Sequence, residues 1–124
     1  MHGMRGDDMA EVAKGKGNGL KSKALRIAGL IGYQKGAVVS RELIRKGTGT
    51  VTLFSFDRGQ GLSEHTAPFD ALVQVFEGEA AITVSGKQHR VRKGELIILP
   101  AGKPHSLMAS KRFKMMLIMI RSKK

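Results

Sequence analysis

Two histidines, His65 and His105, stand in glycine-bounded segments whose spacing could do chemistry. The first segment, GQGLSEHTAPFDALVQVFEG, runs Gly59, five residues, His65, one residue, Ala67, three residues, Ala71, six residues, Gly78. The second, GELIILPAGKPH, runs Gly94, five residues, Pro100, Ala101, Gly102, two residues, His105. An imidazole near neutral pH can ligate a transition metal or exchange hydrogen bonds with a polar ligand. The chain has no Cys, so thiolate ligation and disulfides are excluded, and any metal must use His, Asp, Glu or amide oxygen.

At these positions the chain resembles the cupin family, in its small single-domain conserved-barrel form with a degenerate first metal motif. That family carries a His-x-His pair and a glutamate in the first motif, and Pro-x-Gly, a histidine and an asparagine in the second, at the spacings found here. The resemblance covers about residues 37–120. It implies an all-β double-stranded β-helix, a jelly-roll barrel that is frequently dimeric, with a pocket inside. In metal-bearing members the three histidines and the carboxylate surround a divalent ion. Histidines at i and i+2 on a strand point to the same side, so both can reach one ion. Matched residue by residue, His65 is the first histidine and His105 the last; Ala67, Ala71 and Ala109 replace the second histidine, the glutamate and the asparagine. Two imidazoles hold Zn, Mn, Fe or Ni weakly, because stable sites for such ions use at least three protein ligands.

Substitute ligands are few. Gln74 is the amide of the strand after Ala71, but alternation puts Val73 and Val75 on the side of Ala71 and Gln74 on the other, unless a bulge turns it inward. Asp70 could reach inward from the loop after Pro68, or act as a turn residue bonding local backbone. His89 shares a face with Val91, where it is either a core-packed histidine or a pocket residue. Ser63 is in phase with His65 and could add a hydroxyl to the pocket that Ala67 would line; Glu64 is out of phase and faces solvent. No nucleophile with an ordered base accompanies them, so no catalytic residue is singled out. His65 and His105 themselves could persist without metal as a pair that grips a polar or anionic ligand.

The elements that must position these residues are short strands. AVVSRELI (37–44), TVTLFSF (50–56), LSEHT, ALVQVFE, AAITV, KQHRVR, ELIIL, HSLMA and FKMMLIMI follow one another, with Gly at 78, 86, 94 and 102 in the expected breaks. Such a pattern predicts a sandwich or a closed barrel. In KQHRVR, His89 and Val91 share one face, and Arg90 and Arg92 the other, as in a strand with one wet side. ALVQVFE and FKMMLIMI are apolar on both faces, which requires a second layer over them: the opposite sheet with an N-terminal arm, or the partner in a homodimer. Residues 1–22 read as a flexible, Gly-rich basic leader, 23–36 as an arm or short helix, and 37–122 as the barrel.

The 124 residues suffice for one domain, and no apolar run reaches the roughly 20 residues of a membrane span. A soluble, cytoplasmic protein is expected. The net charge is +12; residues 1–23 hold five Lys/Arg against three Asp/Glu, leaving 17 against seven on the rest, so the excess is not confined to a tail. This could serve a polyanion-binding surface. Yet Arg90/Arg92/Lys93 and Lys111/Arg112/Lys114 have no aromatic residues interleaved for base stacking, which disfavours nucleic acid. A small-molecule ligand is the expected partner, with a reduced-ligand metal enzyme of dioxygenase or isomerase type as the alternative.

Overall fold

A computed structural model describes residues 17–121. Eight antiparallel strands form it: β1 (Val38–Lys46), β2 (Gly49–Phe56), β3 (Gly61–His65), β4 (Ala71–Val84), β5 (Lys87–Arg92), β6 (Leu96–Leu99), β7 (His105–Met108) and β8 (Phe113–Ile120). The order is β1-β2-β8-β4-β7-β3, with β5 and β6 also pairing to β4. The sheet therefore curls into two walls that share one strand. One wall is β1-β2-β8-β4-β6, and the other is β5-β4-β7-β3. A single apolar core lies between them.

β4 differs from the sequence expectation of two strands broken at Gly78. It runs through as 14 residues. Its register slips between Val75 and Glu77, and Gly78 adopts φ 76°. A Cβ at that glycine would run into the Arg112 carbonyl and the Phe113 backbone. Bulge and glycine together carry the strand from one wall to the other without interrupting it. Other strand limits fall within two residues of the expected ones.

Inward-facing residues form rows across the first wall. Phe56 with Phe113, Phe54 with Met115 and Val75, Thr52 with Leu117, Val73 and Ile97, and Thr50 with Met119, Ala71 and Leu99 stand side by side. At one end Phe56 and Phe113 are fully buried and stack at 4.4 Å between ring centroids. At the other, Leu117, Met119, Ile97 and, on the facing wall, Val84 are only partly buried. The barrel is packed shut at its aromatic end and less closely filled at the opposite one.

Most of the leader, residues 1–16, lies outside the described residues. From Gly17 the chain forms an arm with 3-10 turns at Gly17–Leu20 and Ile27–Gly29. This arm lies on the outer face of the first wall, where its carbonyls receive side-chain donors: Lys114 Nζ donates to Ala28 O at 2.7 Å, Arg41 Nη1 to Leu30 O at 2.8 Å and Ser55 Oγ to Gly32 O at 2.8 Å. Tyr33 donates to Glu77 at 2.6 Å, and its ring lies under the cations of Arg112 and Lys114. Burial and the Glu77 carboxylate raise the Tyr33 pKa well above its ordinary value. Asp57 accepts from Gly36 N–H and from Arg112, which hold its carboxyl at about 2. Thus the arm supplies part of the second layer that the two-faced strands required.

Candidate ligand site at the barrel mouth

The less filled end is where the two motif segments meet. The loops after β3 and β6 are tied by Gly102 N–H donating to Ala67 O at 2.8 Å and Ala101 N–H donating to Asp70 Oδ1 at 2.8 Å. The β4–β5 turn joins them, with Ser85 N–H donating to Pro104 O. These bonds bring the end of β3 and the start of β7 to the same mouth as the start of β4 and the end of β6.

His65 and His105 are cross-strand partners on β3 and β7. A bulge between Leu62 and His65 breaks strict alternation and turns the His65 ring toward His105. The rings meet edge to face at 4.4 Å between centroids, and the two Nε2 atoms lie 3.2 Å apart. Each Nδ1 faces a carbonyl: Ser63 O at 2.8 Å from His65 and Lys103 O at 3.3 Å from His105. A carbonyl can only accept, so each Nδ1 must be the protonated nitrogen. In the neutral rings both Nε2 atoms then carry a lone pair, 3.2 Å apart. All of these bonds are met together when an added proton, an outside proton donor or a cation lies between the two Nε2 atoms; otherwise His105 must surrender its longer bond. His65 is exposed while His105 is 6% exposed. Burial, and then the neighbouring His65, push the His105 pKa below its ordinary value, partly offset by the Lys103 carbonyl.

The other candidates separate. Ala67 lies in the loop beside the pair, half-buried, and Ala71 is buried on the facing wall. Ser63 is exposed, and it is its carbonyl that touches the site. Asp70 spends one oxygen on the Ala101 N–H. Gln74 lies on the outward face between Met116 and Leu96, because the bulge in β4 falls after it. His89 faces inward beside Ile82, two strands and one row from His105, on the order of 12 Å between Cα positions. The sequence clusters of cations are partly spent: Arg90 and Arg92 pair with Glu79, Arg112 with Asp57, and Lys114 is buried beneath the arm.

A residue that sequence reasoning missed is Thr50. It is 4% exposed, and its Oγ1 is buried without a hydrogen-bond partner. A threonine in a strand carries no functional signal, since β-branched residues favour strands anyway. Only its row, shared with Met119, Ala71 and Leu99, places it on the inner face of the mouth.

A sequence model of the cupin domain matches residues 52–121. The chain is a cupin. A conserved protein of unknown function from Streptococcus pyogenes is similar, at 33% identity and TM-score 0.79, over 83% of this chain and 90% of that one. A cupin 2 conserved barrel domain protein from Leptotrichia buccalis shares 42% identity at TM-score 0.73, over 76% of this cupin but 46% of that chain. Salicylate 1,2-dioxygenase from Pseudoaminobacter salicylatoxidans shares the fold at TM-score 0.63 and 19% identity, this cupin spanning 25% of it. A search of curated proteins finds no match. Among the described residues no helix is long and apolar enough to cross a membrane.

Cupins often hold a metal, and the donors here can be tested against one. Two metal–nitrogen bonds of about 2.0–2.1 Å, at an angle of roughly 100°, span the observed 3.2 Å between Nε2 atoms. The pair could therefore supply two adjacent ligands. The remaining ligands are missing: Ala67 and Ala71 offer none, and among the described residues no three of His, Cys, Asp and Glu gather around one point. These residues do not fit a resident metal.

Proposed function

We propose that this cupin binds a small molecule at the barrel mouth through His65 and His105, with no reaction assigned. The observation that carries this reading is the pair of Nε2 atoms 3.2 Å apart whose opposite nitrogens are anchored on carbonyls. Such a site accepts a proton donor, and the wall behind it is apolar: Ala71, Leu99, Met119, Leu117 and Val84. An apolar enclosure with a few convergent polar groups is the usual character of a small-molecule site.

Imidazole 15N resonances, recorded while small phenols and carboxylic acids are added, test it. Both Nε2 signals are expected to move together in the wild type and not in His105→Ala. If neither moves at millimolar concentrations, the reading fails. A second reading, a reduced-ligand metal enzyme, is favoured by the separation of the two nitrogens alone. Elemental analysis after loading with Zn, Mn, Fe or Ni and desalting decides between them: stoichiometric metal in the wild type, lost in His105→Ala, replaces the first reading with the second. A basic-surface polyanion reading has less support, because the clusters that suggested it are partly engaged in ion pairs and the arm. Nucleic-acid binding that survives physiological salt would revive it.

A further inference from the structure

We propose that Thr50 is a second polar anchor of this site and that the ligand is polar at both ends and apolar between them. The inference rests on the reading of the mouth as a small-molecule site. A buried hydroxyl normally finds a partner, and one that has none marks a place that a ligand group can fill. The Thr50 Oγ1 atom has no partner within the protein. It stands on the row Thr50–Met119–Ala71–Leu99, two strands from Ala71, and the loops after His65 and before His105 lead from that row to the imidazole pair. Met119, an unbranched and adaptable side chain only partly buried, lies between the two polar positions. A ligand that donates a proton to the Nε2 pair can lay its apolar body over Ala71 and Met119. It then meets Thr50 with a second hydroxyl or another hydrogen-bonding group.

Hydroquinone and p-cresol are suitable probes, since they differ only by a hydroxyl in place of a methyl opposite the donor hydroxyl. Calorimetry on the full chain is expected to show hydroquinone binding roughly tenfold more tightly, as a paired buried group would give. Thr50→Val should abolish that preference, whereas His105→Ala weakens both phenols. Thr50→Val should also raise the melting temperature of the ligand-free protein, because it removes an unpaired buried hydroxyl. Equal binding of the two phenols overturns this inference and leaves the proposed function standing, as does a lower melting temperature for Thr50→Val. No binding of either phenol overturns this inference, and imidazole signals that stay still with carboxylic acids as well overturn the proposed function too.

Discussion

The two ends of this barrel are made by the same strands and differ in what those strands turn inward. At one end β2 and β8 present Phe56 and Phe113, stacked and inaccessible, with Val75, Ala80, Val91 and Ala109 around them. At the other the same two strands present Thr50 and Met119, and β3 and β7 present two imidazoles. Close packing leaves no room for a ligand, and open polar packing contributes less to stability. The contrast thus runs along the strands: a closely packed aromatic end, and an opposite end that carries the imidazole pair.

Cavity formation should make the sharpest contrast. Phe113→Ala is expected to cost about 3–5 kcal/mol. That is a fall in melting temperature on the order of 15 °C or more. Met119→Ala, at the mouth, is expected to cost about 1 kcal/mol because the side chain is already partly exposed. Equal losses in thermal melts would erase the distinction between the ends.

A smaller effect should come from pH. Because the folded protein holds the His105 pKa down, its neutral form stabilises the fold fully above the unfolded value, about 6.5. That contribution is lost as pH falls through and below this range, since the unfolded chain then takes up a proton more readily. The melting temperature should drop between pH 7 and pH 5, and His105→Asn should flatten the fall. A pH profile unchanged by the substitution would show that this group does not carry the effect. Smallest of all, Arg90→Gln removes an exposed ion pair with Glu79 on the outside of the barrel, and the expected change is within about 0.5 kcal/mol. A larger loss in denaturant titration would mean that the outer surface, too, carries stability.

Much of the scaffold was readable from residue order. Alternation put Val91 inward and Arg90 outward, and the glycine-bounded spacings marked both loops of the mouth. Two kinds of fact were not. Gly78 reads as a break in any one-dimensional pattern, and only the slip after Val75 shows that the strand continues through it. The pairing of Lys114 with Ala28 O, and the orphaned hydroxyl of Thr50, depend on segments distant in sequence. A lysine in FKMMLIMI reads as an exposed cation, yet the arm buries it and draws its ammonium onto a backbone carbonyl. The convergence of the imidazoles was similarly hidden, because a bulge before His65 resets which way that ring faces.

The long shared strand has one more consequence. Ala71 opens β4 on one wall of the mouth, and Val84 closes it beside His105 on the other, with Gly78 midway. The two jaws that would grip a ligand are therefore the tips of a single folded ribbon, and Gly78 is its pivot. That bend sits at the closed end of the barrel, as the rivet of a pair of tongs sits far from their points.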